Sequence, residues 1–180
     1  MGSWLNKMVT FVLIIINVLV FLLQQAGFIT YDKFALVPMF VKNGEYYRLI
    51  TGAFMHASLQ HILANMYSFY NLGSYCENFT TKRNYIIALI VSLIGSSLMV
   101  FNFSNPQVYT VGFSGVVFGV LGFYAVCLYK NDGRLDEYEK NYLIRVILSN
   151  VIVSLMPGIS WQGHLGGFIG GLISGLILLR

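Results

Sequence analysis

Four polar side chains fall inside stretches of otherwise apolar sequence, where polar groups are costly: His61, Asn65, Ser114 and His164. A serine hydroxyl is a weak nucleophile until a base takes its proton, and neutral imidazole is the usual base near neutral pH. Ser114 is therefore a candidate nucleophile, and His164 a candidate general base that then acts as general acid to a leaving amine. No Asp or Glu lies in the apolar stretches around them, so a triad is not available and the pair would work as a dyad. Phe118, one helical turn after Ser114, sits on the face where it could stack on the imidazole. His61 and Asn65, spaced i, i+4, project from one helix face. With the Ser114 amide they supply donors for an oxyanion, Asn65 as a donor rather than a base because an amide does not titrate. Each residue alone has an ordinary reading, since serine beside glycine usually packs helices and an intramembrane His or Asn often only bridges them. Their joint occurrence points to chemistry. A metal is not expected: His56 and His61 are spaced i, i+5, which splits them between faces, and no carboxylate follows. No cofactor is expected either.

Something must hold these groups, and composition says what surrounds it. With 180 residues, 57% hydrophobic and 10% charged, the chain carries more apolar side chain than a soluble domain of this size could bury. A lipid bilayer must supply the solvent. Apolar stretches bounded by charge give six candidate spans: Met8 to Phe28, Ala57 to Cys76, Asn84 to Phe103, Ser114 to Tyr129, Tyr142 to Met156 and His164 to Leu179. The first is too long for a signal peptide and lacks a small-residue cleavage site. The turn cluster Ser104-Asn105-Pro106-Gln107 separates the third span from the fourth. Cys76 and Cys127 lack metal or CxxC spacing and read as free thiols on a reducing side.

The net charge of +4 does not imply nucleic acid, because the basic residues sit in short loops where they set orientation. With the N-terminus in the cytoplasm, that side receives Lys7, Lys82, Arg83, Lys130, Arg134, Lys140, Arg145 and Arg180, and the other only Lys33, Lys42 and Arg48. This asymmetry favours an inside N-terminus. The segment between the first two spans is then external, and its length and its Tyr, Phe and Met content predict structure of its own lying on the bilayer.

Spans two, four and six then run from outside to inside. His61 to Glu77, Ser114 to Lys130 and His164 to Arg180 are each 16 residues apart. At about 1.5 Å per residue all three polar groups lie about 24 Å above the inner boundary, inside the outer leaflet. Gly115 and Gly119 in span four, and Gly163, Gly167, Gly171 and Gly175 in span six, with Gly166 and Gly170 beside them, allow two helix backbones to approach closely. Packing along those faces would bring Ser114 to His164. Loops that dip into a membrane to reach helices starting below its surface survive around a water-filled cavity, so a wet pocket open to the outside is expected.

These residues resemble the rhomboid family. Gly112-Phe113-Ser114-Gly115 matches its GxSG motif, His61 and Asn65 its HxxxN motif, and His164-Leu165-Gly166-Gly167 through Gly171 resembles its HxxGxxxG motif. Gly44-Glu45-Tyr46-Tyr47-Arg48 resembles the Trp-Arg segment of the family's first outer loop, with Tyr47 in place of the usual Trp. Phe118 stands where some members have Tyr. The resemblance implies one domain over residues 1–180: an all-α, six-transmembrane-helix bundle of the basic bacterial type, with a structured outer loop between helices 1 and 2. It also implies an intramembrane serine endopeptidase whose substrates are single-pass membrane proteins, with the site opening outside the cytoplasm and Gly112, Gly115 and Gly167 as supporting positions.

Three rivals are weaker. A catalytically inactive relative that binds membrane clients would usually lack the serine or the histidine. A transporter would want acidic residues in its spans or an inverted repeat. A structural scaffold leaves the co-planar Ser, His, His and Asn unexplained.

Overall fold

The computed structural model describes residues 8–130, 137–154 and 158–179. Lys7, Arg134, Met156 and Arg180, used above to set spans and orientation, lie outside the described residues. Among the described residues the regular structure is helical: α1 (Met8–Gln25), α2 (Tyr31–Phe34), α3 (Pro38–Lys42), α4 (Arg48–Thr51) running into a 3-10 turn at Gly52–Phe54, α5 (Leu59–Phe79), α6 (Lys82–Phe103), α7 (Ser114–Lys130), α8 (Glu137–Ser154) and α9 (Trp161–Leu178). One antiparallel bridge, Leu36 with Thr110, is the exception.

The long helices begin at their caps, not at the first apolar residue. Ser58 accepts from the His61 N-H at 3.1 Å and Thr81 from the Asn84 N-H at 3.2 Å, while Ser160 accepts from the Gly163 N-H at 3.3 Å. Each hydroxyl satisfies one orphan donor of a first turn. That is why α6 starts two residues before the expected Asn84 and α9 three before His164; the described part of α8 begins at Glu137, before the expected Tyr142. α1 stops at Gln25, short of Phe28, because Gly27 turns the chain with φ of 80°. α5 runs over 59–79, against 57–76 from the sequence.

α7 is the central element, buried from Gly115 to Tyr124 and packed against α5, α6 and α9. α9 wedges between α6 and α7 on two glycine faces. A Cβ at Gly167 would overlap the Gly115 carbonyl oxygen, and one at Gly171 the Gly119 oxygen. Gly170 meets Val91 O at 2.8 Å from its Cβ position, and Gly166 lies against Gly95 and Met99, so the second stripe faces α6. α1 is tied in from below by Glu77, which is buried at the end of α5 and accepts from Val9 N (2.8 Å), Thr10 N (3.0 Å) and Thr10 Oγ1 (2.8 Å). The carboxylate satisfies first-turn donors and faces the positive end of the helix dipole.

The side of the bundle is apolar: Ile15, Leu19 and Leu22 of α1, Ile90 of α6, and Ile173 and Ile177 of α9 are all exposed. Such a surface suits hydrocarbon rather than water. α1 and α6 are long and apolar enough to cross a membrane.

α2 to α4 wrap around Arg48, a cation only 3% exposed. Its guanidinium donates to Glu45 Oε2 (2.7 Å), Ala35 O (2.8 Å) and Asp32 O (2.6 Å) and lies 4.7 Å from the centre of the Phe40 ring. Tyr47 flanks it, the guanidinium carbon 5.6 Å from the ring centre, and its hydroxyl donates to Glu45 at 2.7 Å. That hydroxyl and, second, Arg48 hold the Glu45 carboxyl below the usual carboxylate range. Tyr47 thus anchors the segment through a ring face and a hydroxyl together.

Candidate active site

Gly112 sets the approach to α7. Its φ of 119° is accessible to glycine at little cost, and a Cβ there would lie 2.7 Å from the His61 ring. The strand-like entry is pinned from the outer segment: Leu36 and Thr110 exchange both backbone bonds (3.0 and 2.8 Å), Met39 N donates to Pro106 O (2.9 Å), and Gly112 N donates to Gly52 O (3.1 Å). Ser114 then opens α7, whose first turn closes on the Phe113 carbonyl through Val116 N (3.0 Å) and Val117 N (3.1 Å) and whose dipole favours an anion at that end.

Across from it, the fourth residue of α9 is His164, buried at 6% exposure. Its Nε2 lies 2.8 Å from Ser114 Oγ. The Phe118 ring stacks on the imidazole, centroids 4.1 Å apart and planes inclined by 10°. The ring is oriented by an aromatic face on one side and the serine on its edge. α7 and α9 carry no acidic residue.

His61 and Asn65 meet the same place from α5. The Gly112 Cβ position is 2.7 Å from His61 Nε2 and 3.4 Å from Asn65 Nδ2. Ala57 N lies 3.5 Å from His61 Nδ1. An N-H can only donate, so Nδ1 accepts and the ring proton belongs on Nε2, the nitrogen facing Gly112. Asn65 is buried at 7% exposure, and its Nδ2 has no acceptor among the described residues. A buried amide donor without a partner is costly in a resting fold and useful where an oxyanion forms. Ser114, His164, Phe118, His61, Asn65 and Gly112 are thus together, and Gly115 and Gly167 form the backbone contact beside them.

A cavity of about 210 Å³ lies elsewhere, between α1 and α6, lined by Val9, Leu13, Ile86, Leu89 and Leu93 and capped by Phe54 and Phe113. It is wholly apolar, unlike the wet pocket expected near the serine. The described residues contain no group of three or more His, Cys, Asp or Glu able to hold a metal. Cys76 and Cys127 are buried thiols, not a disulfide. Sequence reasoning gave no role to Gln24 or Tyr31, weighed His56 only as a metal ligand and used Glu77 only as a span boundary, whereas all four fasten one segment to another.

The fold and site describe a helical bundle with a lipid-like exterior and a serine–imidazole pair at the meeting of two helix N-termini. The Rhomboid domain family matches residues 43–180. The chain is 32% identical over 167 residues to rhomboid protein L523 of Acanthamoeba polyphaga mimivirus, covering 91% of this chain and 86% of that protein. It is 32% identical to RHOMBOID-like protein 5 of Arabidopsis thaliana over 81% of this chain and 48% of that one. To Rhomboid protease GluP of Bacillus subtilis it is 25% identical, over 89% of this chain and 32% of that protein. It therefore spans less than half of RHOMBOID-like protein 5 and of GluP. The chain belongs to the rhomboid family of integral membrane proteins, and relatives such as GluP carry protease in their names.

Proposed function

We propose that this chain is an intramembrane serine endopeptidase that hydrolyses peptide bonds in or near the membrane segment of other membrane proteins. Residues 1–180 act as one catalytic domain of six spans built on α1, α5, α6, α7, α8 and α9. The N-terminus lies in the cytoplasm, α2 to α4 form the structured outer loop, and the site opens to the extracytoplasmic side of a bacterial plasma membrane. The observation that carries the reading is the 2.8 Å approach of His164 Nε2 to Ser114 Oγ.

The proton on Ser114 Oγ passes to His164 Nε2 as the oxygen attacks the scissile carbonyl carbon. The carbonyl π pair moves onto oxygen, which receives hydrogen bonds from His61 Nε2-H, Asn65 Nδ2-H and the Ser114 N-H. Collapse of that intermediate breaks the C–N bond, and the imidazolium returns its proton to the leaving amine. A water then attacks the acyl carbon, its proton passing to the same imidazole and on to Ser114 Oγ as the ester bond breaks, which frees the acid and restores the serine. Phe118 keeps the ring in plane for both transfers.

Purified protein in liposomes is expected to cleave a reporter with one transmembrane segment, and Ser114→Ala or His164→Ala to abolish cleavage while the fold is retained. Undiminished cleavage by Ser114→Ala would remove the mechanism. A folded wild-type protein that binds such segments and never cuts them would leave the client-binding reading in its place.

A further inference from the structure

The backbone N-H and the backbone carbonyl of His56, which belong to successive peptide groups, are both bonded by one side chain. His56 N-H donates to Gln24 Oε1 at 3.0 Å, and Gln24 Nε2 donates to His56 O at 3.1 Å. The Tyr31 hydroxyl donates to the same carbonyl at 2.5 Å. Gln24 lies in the last turn of α1 and His56 is fully buried in the link between the 3-10 turn and α5. Buried backbone donors and acceptors need partners, and a primary amide that bonds both groups of one residue supplies them as a neighbouring strand would.

His56, which is gripped there, and the two residues that follow it all bear on His61. The His56 ring meets the His61 ring edge to face, with centroids 5.1 Å apart. Ala57 N-H faces His61 Nδ1 and so directs the ring proton to Nε2. Ser58 caps α5 through His61 N-H. Shifting residues 56–58 would loosen the wall, the tautomer and the cap of the same imidazole at once.

We propose that Gln24 is a positioning residue for the oxyanion donors, acting through the backbone of His56 and the ring of His61. It does not touch the reacting atoms, and its role rests on the function proposed above. Loss of its two bonds leaves His61 Nε2-H off the line to the oxyanion, which weakens transition-state binding and leaves substrate binding alone.

The test is a double-mutant cycle on the full chain in liposomes with the transmembrane reporter. Gln24→Met keeps the side-chain length and removes both bonds. The expected result is a fall in kcat of about tenfold with KM within about twofold of the parent. In a His61→Ala background the same change should alter kcat by less than about twofold, because its target is gone. An unchanged kcat, or an equal loss in both backgrounds, would overturn the inference. Should Gln24→Met fail to fold, Tyr31→Phe carries the test: its expected loss of about threefold must vanish in the His61→Ala protein, and persistence there would overturn the inference. Cleavage surviving Ser114→Ala would instead defeat the proposed function, so the two failures are separable.

Discussion

Replacing Gly167 by Ala perturbs the Ser114–His164 contact without touching either residue. A Cβ at Gly167 would stand 2.8 Å from the Gly115 carbonyl carbon and would overlap its oxygen. Ordinary non-bonded carbon contacts lie near 3.5–4.0 Å, so α7 and α9 must separate by about 1 Å. Neither neighbour is the free end of a flexible side chain, so rotation cannot absorb the clash. Ser114 adjoins Gly115 and His164 is three residues from Gly167, so the opening acts directly on the pair. A distance of 2.8 Å becomes about 3.8 Å, beyond hydrogen bonding. Displacement of about 1 Å costs roughly 100-fold in rate, equivalent to about 2.7 kcal/mol in barrier. The accompanying overpacking costs about 1–3 kcal/mol of stability. The assay is kcat for a transmembrane reporter in liposomes, beside a thermal melt. Gly44→Ala is the control: it has open space and a φ of 100°, so it pays about 1 kcal/mol of backbone strain and should keep kcat within about twofold. A folded Gly167→Ala protein with more than half the parent rate would refute the reasoning.

Asn65→Ala should lower kcat by about ten- to a thousandfold with little change in KM, as expected for loss of one oxyanion donor; unchanged kcat would remove Asn65 from the site. Arg48→Met strips the donors from Ala35 O and Asp32 O and should lower stability by about 3 kcal/mol, read as a fall of about 6–12 °C in Tm. Glu45 has a folded pKa below its ordinary 4.5. Its contribution is therefore present above that value and lost as pH falls through the folded pKa. Glu45→Gln should accordingly lower Tm at neutral pH and converge with the parent in acid, while a constant difference across pH would contradict the linkage.

The meeting of α7 and α9 could be read in the sequence because glycines four apart admit only a close backbone contact. The same reasoning could not say which helix Gly166 and Gly170 would face, since a stripe shows closeness and not the partner's identity. α6 proved to be the neighbour, through Gly95 and Val91. Helix starts were displaced because hydropathy marks where lipid begins, whereas a helix begins at its cap. Thr81 and Ser160 are polar and fall outside the apolar windows, while Ser58 lies inside the second and moves that helix start to Leu59. Glu77 and Gln24 were invisible as anchors because their partners, mostly backbone groups, lie on another segment, which no spacing encodes. The substitution of Tyr47 for Trp was legible as a departure; that its hydroxyl would add a bond to Glu45 required the fold.

The most direct measurement is covalent labelling with a fluorophosphonate in intact membranes, mapped by mass spectrometry. The account predicts a single adduct on Ser114, lost in Ser114→Ala and strongly slowed in His164→Ala. An adduct on another serine, or on Ser114 at the same rate without His164, would contradict it.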